Sequence, residues 1–125
     1  MNVSRNFLLV GSLFLILGIL IGMYMGGSGE HTLAPAHAHI NLLGFVLSVL
    51  FALVYRSYAD MGASKLATYH FWLHVVGTAI LIVMLLMLLT GKITEAGMAP
   101  MAPLAELAVL IGVILFLVNL WKNAK

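Results

Sequence analysis

Four long apolar stretches, separated by short polar segments, constrain this chain more than any other feature. They cover residues 7–25, 35–55, 66–89 and 102–121. Each holds close to the ~20 apolar residues that a helix needs to cross ~30 Å of hydrocarbon, and none shows the alternation of a transmembrane strand. Because backbone groups in lipid must be hydrogen-bonded within the chain, the sequence predicts four membrane-spanning helices.

The predicted fold class is therefore all-α, an integral membrane four-helix bundle formed by one domain of residues 1–125. Composition supports a membrane location, because 63% of the residues are hydrophobic and 8% are charged, against about 25% charged in soluble domains. The net charge of +2 does not indicate nucleic-acid binding, since the basic residues lie at helix ends and form no patch.

The basic residues also indicate an orientation. Five of the six lie at the ends of the chain or between the second and third stretches: Arg5, Arg56, Lys65, Lys122 and Lys125. By the positive-inside rule these positions face the cytoplasm. We therefore expect a multi-pass protein of the bacterial inner membrane with both termini cytoplasmic. The first stretch exceeds the roughly 7–15 apolar residues of a cleavable signal, so it is interpreted as a retained anchor.

Two histidines, His37 and His39, stand where the second stretch should enter the bilayer. Polar side chains at this depth are costly and usually serve a function. Residues two apart on an α-helix are separated by about 200° of rotation, so the two rings are predicted to point to opposite sides. One helix cannot bring both to one metal ion, but it can give one ligand to each of two cofactors. The chain has no cysteine, which excludes thiolate ligation, iron–sulfur clusters and covalently attached c-type haem.

Residues 36–44, with the sequence AHAHINLLG, resemble the haem-ligating H-x-H helix in the large subunit of the haem-copper oxidase superfamily. They also resemble short bacterial proteins described as subunit-I-like. The resemblance covers about one helix of the chain, and it implies that His37 and His39 are axial ligands of haem iron. The implied cofactor is a non-covalent haem b, low-spin and six-coordinate, which suits electron transfer because no position is open for a gas. The three copper-binding histidines of that family have no clear counterpart at the outer end of the predicted spans.

The resemblance also implies an assembly. The large subunit of that family has twelve spans in three arcs of four helices, related by pseudo-threefold symmetry, and this chain is the size of one arc. A homotrimer would supply all twelve spans. His37 of one subunit and His39 of its neighbour would then hold one haem between them, at identical interfaces.

His70 and His74 are four residues apart and share a face of the third stretch, about 15 Å below His39. Two interpretations stay open. The pair forms a second haem or metal site, or it is structural, with His70 at the membrane interface and His74 hydrogen-bonded between helices. His31 lies in the first loop and is expected to be solvated.

Glu106 is the only carboxylate within an apolar stretch. It could orient a ligand histidine through the second ring nitrogen, relay protons, pair with Lys92, or be solvated near the start of its helix. We treat it as a candidate outer-shell residue. No residue is assigned a catalytic role.

The first stretch carries Gly18, Gly22 and Gly26 at four-residue spacing, which permits close helix contact. We interpret this face as packing within the four-helix unit, with a subunit interface as the alternative. Asn41 and Tyr55, on the second stretch, are interpreted as packing and anchoring residues.

Two functions remain. The first is a membrane-bound b-type haem protein with a bis-histidine haem at the outer side, transferring electrons to or from quinol or a periplasmic redox partner. The alternative is a haem-free accessory or metal-binding membrane protein that handles copper or zinc. A small multidrug exporter is excluded, because such a protein needs a carboxylate in its first span and residues 7–25 contain none.

Overall fold

A computed structural model describes all residues from 1 to 125 and confirms the all-α prediction. Four long helices account for most of the chain: α1 Val3–Ser28, α2 Ala34–Ser57, α3 Lys65–Leu89 and α4 Met101–Asn123. Each is long and apolar enough to cross a membrane, and each contains one predicted stretch. A short helix, Ala59–Ala63, connects α2 to α3, and a 3₁₀ turn, Ala96–Met98, precedes α4.

The helix boundaries follow from local capping. The side chain of Asn2 accepts a hydrogen bond from the Arg5 N–H and begins α1, and Ser64 does the same for the Ala67 N–H at the start of α3. These side chains satisfy backbone donors that have no partner in the first turn of a helix. Gly29 ends α1 with φ of 75°, the left-handed conformation that glycine adopts without penalty.

The chain runs up and down, so the two ends of the bundle differ. We call the end formed by residues 29–33 and 90–100 the histidine end, because His37 and His39 lie beside it. The opposite end carries both termini and the connection formed by residues 58–64, and we call it the terminal end.

Helix α1 packs along α2, and α3 packs along α4, while contacts between these two pairs are sparser. Small residues permit the close approach. Gly18 lies against Asn41 and Gly22 against His37, whereas a Cβ at Gly26 would meet nothing within 4 Å. Two of the three glycines at four-residue spacing therefore serve packing within the chain, as we interpreted them.

Helix α2 contains a π-helical segment, Ile40–Val46, just after the two histidines. At its end the Leu47 N–H bonds to the Leu42 carbonyl, five residues back, and not to the Leu43 carbonyl. The Leu43 oxygen instead lies 3.0 Å from Nε2 of His74 in α3. The π-segment thus supplies a backbone acceptor to a neighbouring helix, and such segments occur often at functional sites.

The helices are tied together at the terminal end by a buried amide. Asn119 of α4 is fully buried; its Nδ2 donates to the Met61 carbonyl at 3.0 Å, and its Oδ1 accepts from the Ser64 hydroxyl at 2.9 Å. Asn119 thereby joins α4 to the α2–α3 connection. In lipid, the Asn119 amide and the groups bonded to it would find few other hydrogen-bond partners. These bonds therefore stabilise this end of the bundle.

Cysteines placed at Gly27 and Ala63 should be labelled from opposite sides of the membrane. Both positions are exposed, at opposite ends of the bundle, and the chain's 26-residue first helix spans about 39 Å at 1.5 Å per residue. The measurement is labelling of intact cells and of inverted vesicles with a membrane-impermeant maleimide, with the cysteine-free wild type as the control. Labelling of both positions from one side would contradict a four-span topology.

Candidate functional site

His39 is held in one orientation by a backbone carbonyl. Its Nδ1 lies 2.8 Å from the carbonyl oxygen of Pro35, one turn earlier in α2. Because a carbonyl only accepts hydrogen bonds, Nδ1 carries the proton and Nε2 of the neutral ring carries the lone pair. This is the arrangement that metal-ligating histidines commonly have, with the second nitrogen fixed by a carbonyl or carboxylate. His39 is exposed, so its Nε2 lone pair can reach a ligand outside its own chain.

An apolar groove of about 410 Å³ begins at His39. It lies between α2, α3 and α4 and opens to the outside of the bundle. Its walls are aliphatic: Leu43, Leu81, Val109, Leu110 and Val113. Two polar side chains, His39 and Glu106, share this lining. The groove therefore combines one available imidazole and one carboxylate with aliphatic walls.

Glu106 is exposed and lies along the same groove as His39. The Nδ1 proton of His39 goes to Pro35 and not to the Glu106 carboxylate. The Pro35 carbonyl, and not Glu106, therefore orients the His39 ring. A role for Glu106 toward another group in the groove stays a prediction.

His37 faces a different neighbour. Its ring is half-buried in the seam between α1 and α2, and a Cβ on Gly22 would lie 3.0 Å from its Cε1. The side-chain amide of Asn41, one turn further along α2, lies 3.2 Å from Nε2 of His37. Within one chain, His37 is thus engaged by Asn41, whereas the lone pair of His39 is free.

The rings of His37 and His39 face different sides of α2, one toward α1 and the other toward the groove at α4. This is the direction that about 200° of rotation predicts for residues two apart. One chain therefore does not bring the two rings to one metal ion. The chain also has no group of three or more histidine or carboxylate side chains that could hold a metal ion.

His70 and His74 lie inside the bundle, with 0% and 1% of their surfaces exposed. The face of α3 that carries both histidines is turned toward α1, α2 and α4, so the other helices enclose the His70 ring. His74 does form the expected hydrogen bond between helices, to the Leu43 carbonyl. Leu43 is only about 6 Å along α2 from His39 at 1.5 Å per residue. His74 therefore lies nearer to the histidine end than we expected, since the stagger of antiparallel helices depends on their connections.

Aromatic rings enclose this buried histidine pair. The ring of Phe51 lies 4.4 Å from that of His70 and 5.2 Å from that of His74, edge-on to both. The ring of Phe7 lies 5.3 Å and 5.9 Å from the same two imidazoles. Tyr55 contributes its hydroxyl, which shares a 2.8 Å hydrogen bond with Nδ1 of His70. We call these five residues the imidazole cage.

Each imidazole of the cage keeps one nitrogen without a protein partner. Nε2 of His70 and Nδ1 of His74 are both buried and form no hydrogen bond. Buried polar atoms are nearly always bonded, so such exceptions require an explanation.

The sequence interpretation missed two of the residues that hold the histidines. Asn41 was interpreted as a packing residue, although its position four residues after His37 on the same helix face signals a contact. Tyr55 was interpreted as an interfacial anchor, yet it is only 2% exposed and bonds to His70. No local signal in the sequence pairs Tyr55 with His70, because their contact depends on how α2 packs against α3. His31 is exposed, as expected.

No protein-family model matches the chain, and no curated protein and no solved structure matches it either.

Proposed function

We propose that this chain is a membrane-bound b-type haem protein that transfers electrons. Its haem would lie at the outer side of the bacterial inner membrane, with two histidine ligands. The observation that carries the proposal is His39, whose Nδ1 is bonded to the Pro35 carbonyl and whose Nε2 is free beside an apolar groove. The resemblance of residues 36–44 to the H-x-H helix of the haem-copper oxidases also supports ligation of haem iron by His37 and His39.

The chemical character of the groove residues suits a haem. Its aliphatic walls match the face of a porphyrin, and its opening leaves the remaining contacts to a second molecule. A volume of about 410 Å³ falls within the range of about 300–1,000 Å³ for small-molecule and cofactor sites. Haem bound there would supply reversible one-electron exchange at iron. The chain's own contributions are the lone pair of His39, the fixed orientation from Pro35 and the exclusion of water by the groove walls.

His37 of a neighbouring copy is the proposed second ligand, and a homotrimer is the proposed assembly. Because His37 and His39 face different sides of α2, one chain can offer each ring to a different neighbour, and a closed ring of three copies makes every such interface the same. His37 must leave Asn41 to serve as a ligand, since the Asn41 amide nitrogen lies 3.2 Å from Nε2 and 3.5 Å from Nδ1 of its ring.

The orientation that the basic residues favour puts the proposed haem at the periplasmic face. Quinol from the bilayer or a periplasmic redox protein is then the proposed electron partner. Glu106, on the rim of the same groove, would add a negative charge near the haem edge. That charge would stabilise the oxidised iron relative to the reduced iron.

Protein purified from haem-replete cells should contain one non-covalent haem b per chain, with the Soret and α/β bands of low-spin six-coordinate iron. The pyridine haemochrome assay identifies the haem type and its amount. Native mass spectrometry on the same sample measures the number of chains per assembly. Colourless protein that does not take up added haemin would overturn the haem proposal. A haem-loaded monomer would overturn only the shared site.

A further inference from the structure

We propose that His70 and His74 form a buried site for one monovalent soft cation, Cu(I), coordinated linearly between the two imidazoles. This inference does not depend on haem binding at His39. It starts from two fully buried nitrogens, Nε2 of His70 and Nδ1 of His74, that have no protein partner.

The hydrogen bonds fix the free nitrogen of His74 as a lone pair, and they allow the same at His70. The Leu43 carbonyl can only accept, so Nε2 of His74 carries its proton and Nδ1 of the neutral ring bears a lone pair. At His70 the hydrogen bond to Tyr55 uses Nδ1. When Nδ1 donates to the Tyr55 oxygen, Nε2 bears the lone pair. Each imidazole thus has one nitrogen fixed by a partner and the other free, as is usual for metal-ligating histidines.

The spacing of the rings suits an ion between them. Their centroids lie 5.9 Å apart. A direct N–H···N hydrogen bond of ~3 Å would require the rings to be closer than this. The two nitrogens of an imidazole flank its Cε1 atom and point in divergent directions. His70 uses Nδ1 to reach Tyr55 toward the terminal end, and His74 uses Nε2 to reach Leu43 toward the histidine end. We infer from this that the two free nitrogens face the space between the rings.

The ligand set selects the class of ion. Zinc requires four ligands in a structural site and three in a catalytic one, and calcium and magnesium require oxygen ligands; the cage supplies two nitrogens and no carboxylate. A divalent charge buried without a counter-charge is also far costlier than a monovalent one. Imidazole is a good ligand for copper, and two-coordinate geometry is the preference of d¹⁰ Cu(I). The faces and edges of aromatic rings then line the site in place of water.

The aromatic residues of the cage surround the proposed ion with apolar carbon. The rings of Phe7 and Phe51 lie within 6 Å of both imidazoles. Phe7 is 0% and Phe51 7% exposed, so they also exclude the additional ligands that Cu(II) needs. The ion would therefore enter as Cu(I) and remain in that state.

The test is retention of Cu(I) by the full-length protein against the chelator bicinchoninate under anaerobic conditions. A triple variant, His31→Ala, His37→Ala and His39→Ala, leaves the cage as the only histidine site. It should retain one equivalent of Cu(I). Adding His74→Phe to this variant should weaken retention by more than about 100-fold, because loss of even an outer-shell partner costs 10–100-fold. Tyr55→Phe, which removes such a partner, should weaken it by roughly 10–100-fold.

X-ray absorption on the copper-loaded triple variant keeps the proposal testable even if His74→Phe does not fold. The expected spectrum shows Cu(I) with two nitrogen neighbours from imidazole and no sulfur. A sulfur neighbour, from any of the eight methionines, would overturn the proposal. So would release of Cu(I) by the triple variant as readily as by the His74→Phe variant; a trapped water would then be the partner of the free nitrogens. Failure of the haem proposal would appear separately, as the absence of a Soret band in wild-type protein.

Discussion

Alanine at position 39 is expected to abolish the six-coordinate haem spectrum. His39 is the histidine whose Nδ1 proton is held by Pro35 at 2.8 Å and whose Nε2 is free beside the groove. Removal of this ligand should lower haem affinity by more than about 100-fold, since loss of an outer-shell partner alone costs 10–100-fold. The measurement is haemin titration of the purified variant, followed at the Soret band.

His31→Ala is the matched control for this experiment. His31 is exposed in the loop at the same end of the bundle, so its removal should leave the spectrum and the haem affinity unchanged. A wild-type spectrum in both His39→Ala and His37→Ala would show that neither residue is an axial ligand.

Mixed assemblies then test whether the haem is shared between subunits. His37→Ala and His39→Ala should each lose bis-histidine ligation when expressed alone. When the two variants are co-assembled, some interfaces join an intact His37 to an intact His39, and part of the six-coordinate spectrum should return. No recovery in demonstrably mixed oligomers would contradict a site built from two chains.

The second large effect is expected at Phe7, where alanine should lower the free energy of unfolding by about 2–4 kcal/mol. Phe7 is 0% exposed and its ring lies 4.9–6.1 Å from five other rings. Loss of a buried Phe in soluble cores costs about 3–5 kcal/mol. Part of that cost comes from the transfer of the side chain out of water. This part does not apply when helices separate in lipid. The expected loss therefore comes from the cavity and from the lost dispersion contacts.

Leu13→Ala on the same helix is the control, because Leu13 is 66% exposed and packs against little of the bundle. Its effect should stay within about 0.5 kcal/mol, as for most surface substitutions. Unfolding in mixed micelles with increasing SDS measures both variants, monitored by helical circular dichroism. Equal destabilisation by the two substitutions would mean that the aromatic cluster around Phe7 does not hold the helices together.

The four helices could be predicted from the sequence because the bilayer leaves a chain almost no alternative. A run of about 20 apolar residues must bond its own backbone in lipid, and only a helix does so within one segment. The different directions of His37 and His39 were predictable for a similar reason. They depend only on the rotation per residue of one helix, and the π-segment that disturbs α2 begins after His39, at Ile40.

The surroundings of the histidines were decided by the tertiary structure. The burial of His70 could not be predicted from the sequence, because the residue lies within the first two turns of α3, where a histidine can face either the polar membrane surface or the other helices. Its burial follows from the packing of α3 against three other helices. The bond from His74 to Leu43 likewise requires the π-segment to release a carbonyl and the stagger of α2 against α3 to place it there. A sequence specifies the rotation within one helix locally, whereas the distance between side chains on two helices depends on the packing of both.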